Sequence, residues 1–173
     1  MAMIENPINV VAAFGLALGA VFGMAGTFVA QSNLQALLWA IDGAGLVTAA
    51  ALLALKYFRT GDDVVAGGFL VFANAEAVML SGTAAGPAAS VPSFAAGTAL
   101  WASALLLISI PKQFALPVRL LGLASALLFA ITAARIFSGE QLLPTAAPLP
   151  FYASPFLVLT FIGWISSLLR SIE

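Results

Sequence analysis

The sequence predicts an all-α membrane protein: a bundle of six transmembrane helices, N-in and C-in, with both ends on the cytoplasmic side. Three observations predict it. Of the 173 residues, 62% are hydrophobic and only 8% charged, against roughly 45–50% and 25% in soluble domains. Six apolar runs reach the ~20 residues that a helix needs to cross a bilayer. The cations, finally, collect at every second joint between those runs. A chain in hydrocarbon has no water to bond its N–H and C=O groups, so each run closes its own hydrogen bonds as a helix.

The first run, residues 8–30, follows a short leader with Glu5 and no Lys or Arg, which is not the basic start of a signal peptide. Gly15, Gly19 and Gly23 recur every fourth residue and form one bare stripe. Such a stripe lets another backbone approach closely, either within the subunit or at an oligomer seam. Span two covers 34–58, holds Asp42 near its outer end, and closes on Lys56 and Arg59. Span three covers 64–86. Its Phe69, Phe72 and Glu76 fall on one face, at i, i+3 and i+7, while Asn74 points the opposite way. Span four covers 92–110, bounded by Pro92 and Pro111. Span five covers 118–137, bounded by Pro117 and the pair Ser138-Gly139, and carries Arg135 near its end. Span six, 150–169, begins behind Pro144, Pro148 and Pro150 and ends before Arg170. Proline stops a helix by removing a donor and clashing with the preceding turn.

Lys56, Arg59, Lys112, Arg119 and Arg170 all fall on the cytoplasmic side if the N-terminus is cytoplasmic, as the positive-inside rule asks; Arg135 alone lies toward the far face. Gly26-Thr27 and Gly82-Thr83 stand 56 residues apart, as do Lys56 and Lys112, a spacing that suggests three successive hairpins of similar build.

Composition also narrows the function. With no His and no Cys, thiol chemistry, imidazole ligation and a Ser-His-Asp triad are excluded, and no metal or other cofactor is implied. A net charge of −1 without a basic tract argues against nucleic acid. Asp42, Glu76 and Arg135 are the ionisable residues inside spans. Each is costly facing lipid, so each should face protein or water. Asp42 is expected to be wet at the outer rim. Arg135 either snorkels to the outer headgroups or reaches down toward Glu76. Phe69, Phe72 and Glu76 together read either as ordinary buried packing or as the wall of a conduit, with the rings as a hydrophobic constriction.

Several segments resemble the acetate uptake transporter family, six-span monocarboxylate channels or proton-coupled transporters. Asn6-Pro7 with Phe14-Gly15 is similar to the family's opening motif. Tyr57 to Gly61 with Phe69 and Phe72, Gly97 with Leu100-Trp101, and Leu128-Phe129-Ala130 with Ser138-Gly139 resemble its spans two to five. The resemblance implies a pore constriction at Phe14, Phe72 and the turn from Ser125 to Leu128, and assembly as a homo-hexamer in the plasma (inner) membrane. The chain departs from the pattern where Ile8-Asn9-Val10-Val11 replaces the family's Pro, Leu and Gly. Phe72 stands where the family has tyrosine, and Glu76 stands at an aromatic position. An ionised Glu76 beside the constriction would repel acetate, so anion transport requires a neutral Glu76 or a counter-charge from Arg135.

The leading expectation is therefore a multi-pass channel or proton-coupled transporter for acetate-like monocarboxylates. A channel for neutral amides such as urea is the first alternative, because an acidic pore tolerates uncharged cargo. A non-transporting membrane subunit or scaffold is the second. An enzyme is not expected, since nothing pairs Asp42 or Glu76 with a nucleophile.

Overall fold

The structure, a computed structural model, describes residues 5–83, 86 and 89–170, with side chains from Pro7 onward. Six helices follow one another: α1 (Glu5–Phe28), α2 (Ser32–Thr60), α3 (Asp63–Thr83), α4 (Val91–Ser109), α5 (Leu116–Phe137) and α6 (Ala153–Arg170). No strand occurs among the described residues. All six helices are long and apolar enough to cross a membrane. The expected spans match them to within a few residues. Span six starts three residues later than expected, because Pro144, Pro148 and Pro150 hold the preceding segment in turns. The tail of span three is shorter: α3 stops at Thr83, and residues 84 and 85 lie outside the described residues.

The helix ends have local causes. After α2, Gly61 takes a left-handed φ of 81°, and the N–H groups of Gly61 and Asp62 bond back to Phe58 and Tyr57. That conformation is nearly free for glycine and costly for other residues. Pro92 and Pro117 sit in the first turns of α4 and α5, where a missing N–H does no harm. At the end of α4, Arg119 donates from Nε to the Ser109 carbonyl at 2.8 Å and from Nη2 to the Ile110 carbonyl at 2.7 Å. A cation there satisfies orphan carbonyls and complements the negative end of the helix dipole.

Each helix packs against its neighbours in sequence, and α6 closes back on α1. No helix pair packs backbone-close across the middle among the described residues, so the six helices form a ring. One face of the ring carries Arg59, Asp62, Asp63, Lys112 and Arg170. The other carries the joints between α1 and α2, α3 and α4, and α5 and α6.

The glycine stripe of α1 is a seam within the chain. A Cβ at Gly15 would stand 2.6 Å from the Gly45 carbonyl oxygen, and one at Gly19 would overlap Leu46 of α2. One at Gly23 would stand 3.0 Å from an Asp42 carboxyl oxygen. Van der Waals contact of this kind holds helices together where lipid offers no hydrophobic drive. With the stripe committed to α2, Val10, Phe14, Val21 and Phe28 form the outward row of α1, and Phe14 is 64% exposed.

Candidate functional site

The inside of the ring divides into a closed half and an open half. In the closed half, toward the charged face, rings stack in two layers. Phe69 lies parallel to Tyr57 with centroids 5.6 Å apart and edge-on to Trp164 at 5.0 Å, with Phe114 filling the remaining side at 6.4 Å. Above it, Phe72 stacks on Trp101 at 5.8 Å and meets Phe161 edge-on at 5.9 Å. Phe129 completes this second layer against Trp101 at 4.8 Å. Offset and edge-to-face pairs at these separations are favourable beyond their burial. They span the ring from α3 to α6, and Phe72 is 1% exposed.

One turn further along α3 the packing opens into a cavity of about 410 Å³. Trp101, Phe129 and Phe161 lie at its floor, Asp42 and Glu76 on its wall, and Gln35, Thr83, Ser90, Pro144 and Pro150 around its mouth. The mouth lies at the face opposite the charged one. Glu76 is 3% exposed, and its Oε1 has no hydrogen-bond partner. Oδ1 of Asp42 and the indole N–H of Trp101 are likewise buried without a partner. The indole N–H lies beside the Glu76 carboxyl but does not complete a hydrogen bond with Oε1. The two carboxyls, on α2 and α3, are close enough to interact electrostatically. Among the described residues, no Lys or Arg lines the cavity. Gly23 makes the room that Asp42 occupies, since a side chain there would press on the carboxyl.

Compared with family models, with curated proteins and with solved structures, the chain matches none. Its site is therefore read from its own atoms.

Among the residues singled out from the sequence, Phe69, Phe72, Glu76 and Asp42 point into the ring, but Phe14 does not meet them. The structure turns it outward, because Gly15 and Gly19 must face α2, and Trp101 and Phe161 stand against Phe72 instead. Ser125 is buried between α5 and α6, its hydroxyl donating to the Ala153 carbonyl at 3.4 Å; Leu128 packs on the core without lining the cavity. Phe129, the next residue, is the one that reaches the floor. Arg135 does not reach Glu76. It grips Glu140 through two hydrogen bonds of 2.9 and 2.6 Å on the exposed rim. Asp42 is half-buried on the cavity wall, with its Oδ1 buried and without a partner. Pro7 is exposed at the start of α1, and the side chain of Asn6 lies outside the described residues.

Four participants were missed as site residues: Trp101, Phe129, Phe161 and Trp164. Trp101 and Phe129 stand out in the sequence only through the family resemblance. Phe161 and Trp164 had a signal: Leu157, Phe161, Trp164 and Leu168 recur at helical spacing on span six and form its buried face. Asn9 accepts a 2.8 Å hydrogen bond from Lys56 Nζ, which ties the starts of the α1–α2 seam together at the charged face.

Proposed function

We propose that this protein is a gated membrane transporter for small solutes. The cavity is its loading chamber and the two aromatic layers are its closed gate. One observation carries this reading: a chamber with buried, unpartnered carboxyl oxygens ends abruptly on a plug of packed rings. A rigid scaffold gains nothing from such orphaned polar atoms, which cost free energy when dry, whereas two carboxyl groups on the wall of a chamber can serve a solute that visits it.

The cargo is proposed to be an acetate-like monocarboxylate, as the family resemblance implies, entering as its uncharged acid. Among the described residues the chamber has two carboxyls and no cation, and Arg135 is engaged elsewhere, so a carboxylate anion finds no counter-charge there. The same observation favours a second reading, a neutral amide such as urea. The proposal further places the charged face in the cytoplasm, with N-in, C-in topology in the plasma membrane. It treats the three α-hairpins as a repeat of 56 residues, in which Thr27 bonds the Gly23 carbonyl as Thr83 bonds that of Met79. Assembly as a homo-hexamer would cover the outward face of α3, where Gly67 meets open space and Asn74 is exposed.

Uptake of labelled acetate and of labelled urea into proteoliposomes tests the reading between about pH 5 and 8. Acetate uptake rising toward acid pH supports the monocarboxylate cargo; pH-independent urea uptake supports the amide. Phe72→Ala should turn gated uptake into a leak. Absence of uptake above empty liposomes for both solutes at every pH would refute transport of either cargo.

A further inference from the structure

The three orphaned atoms on the cavity wall come from three successive helices: Asp42 from α2, Glu76 from α3 and Trp101 from α4. Two are carboxyl oxygens left without a hydrogen bond, even with the indole N–H beside Glu76. The walls that α1, α5 and α6 present toward them, including Gly23, Phe129 and Phe161, hold no titratable group. Two carboxyls on the wall of one chamber favour a compensating positive charge, which no side chain there supplies among the described residues. A bare divalent ion would need about six oxygen ligands, and no cluster of three or more acidic, His or Cys side chains occurs among the described residues. The rest of the wall is aromatic, with Trp39, Phe94, Trp101, Phe129 and Phe161 turned to the cavity. Aromatic faces attract cations, and rings also accept the apolar body of an organic one. The volume of about 410 Å³ suits a compact organic molecule, being within the ~300–1,000 Å³ common for ligand pockets.

We infer that the chamber binds primary ammonium compounds carrying a small apolar or aromatic group. The ammonium donates its N–H groups to the carboxyls of Asp42 and Glu76, and the apolar group rests on the rings of Trp101, Phe129 and Phe161. A primary ammonium fits better than a quaternary one because two of the three unsatisfied groups are carboxyls that accept N–H donors. Gly23 is part of the site: without a Cβ it leaves Asp42 room to aim its carboxyl into the chamber. This inference rests on reading the cavity as a solute chamber, and not on movement of the solute across the membrane.

Equilibrium binding to the full chain in nanodiscs tests it, read by tryptophan emission because Trp39 and Trp101 face the cavity. The probes are phenethylammonium, phenethyl alcohol and phenylacetate, which share a shape and differ in charge; empty nanodiscs correct for partition into lipid. Phenethylammonium is expected to bind saturably and at least about tenfold more tightly than the alcohol, with phenylacetate weakest. Glu76→Gln and Asp42→Asn should each weaken the ammonium by about tenfold and leave the alcohol unchanged, while Glu140→Gln on the rim changes neither. Circular dichroism and elution volume confirm that each variant is folded. Should either variant misfold, the ammonium-to-alcohol ratio of the unmodified protein decides alone. No saturable ammonium binding, equal binding of ammonium and alcohol, or undiminished binding in both folded variants overturns the inference. Ammonium binding without uptake of acetate or urea removes transport of those two cargoes and leaves the site. Uptake without ammonium binding does the opposite.

Discussion

Arg135 owes its partner to a glycine. Gly139 adopts φ 102°, the Glu140 N–H returns to the Arg135 carbonyl, and the Glu140 carboxylate lands on the guanidinium five positions back. The hydrogen bond first, and the charge second, hold the Glu140 carboxyl below its ordinary 4.5. A carboxyl lowered on folding stabilises the fold above its ordinary value, and that contribution is lost as pH falls through the lowered one. Thermal midpoints in detergent, taken from neutral pH downward, should thus show a small acid-side step that Glu140→Gln abolishes. The step is small because both partners are solvated. At Phe72 the expectation is larger. Its ring meets Trp101, Phe161 and Trp164 at once, so Phe72→Ala opens a void in the plug and should cost about 3–5 kcal/mol. Chemical denaturation checks the loss. A cost under about 1 kcal/mol would mean that the layer of rings is not close-packed.

At the scale of the helix, the α1–α2 seam shows what glycine does in a bilayer. A methyl at Gly15 would meet backbone, the Gly45 carbonyl oxygen at 2.6 Å, and no rotamer change can relieve that. Gly15→Ala is expected to force the two helices apart at a cost of about 1–3 kcal/mol. Gly67→Ala is the control: nothing lies within 4 Å of its Cβ position, so the change should be neutral or stabilising by up to about 1 kcal/mol. Thermal midpoints of the two variants should therefore move apart, and equal shifts would deny the seam. The same contrast explains what was legible in the sequence. Span number and limits were readable because hydrocarbon forces every crossing segment into a helix of a set length. Which side each helix turns inward was mostly not. Lipid and protein core are alike in polarity, so Phe14 and Phe72 look equivalent until the Gly15, Gly19 and Gly23 stripe is committed to α2. Glu76 was readable as inward because lipid rejects an ionisable group in mid-span. Arg135 was not, since its partner is brought back by a turn rather than by helical spacing.

For the whole molecule, closure of α6 on α1 makes the centre of the ring accessible only from its two ends. The rings of Phe69, Phe72, Phe161 and Trp164 shut one end, so solvent and solute reach Glu76 and Asp42 from the end that bears Gln35, Ser90 and Pro150. The chain contains no cysteine, so single substitutions report this geometry without background. Ser154→Cys, on the cavity wall, should react with a membrane-impermeant maleimide added to intact cells, and Lys112→Cys, on the charged face, only after permeabilisation. The reverse pattern would invert the proposed orientation while leaving the ring intact. Leu46→Cys goes further, because Leu46 lines the chamber but is 2% exposed. In a transporter whose gate alternates, a thiol there becomes reactive from the charged side whenever the aromatic layers part, and Phe72→Ala should raise that rate. A thiol at this position that reacts from the mouth alone, at a rate unaffected by Phe72→Ala, would make the chamber a one-sided receptor site and the rings a permanent floor.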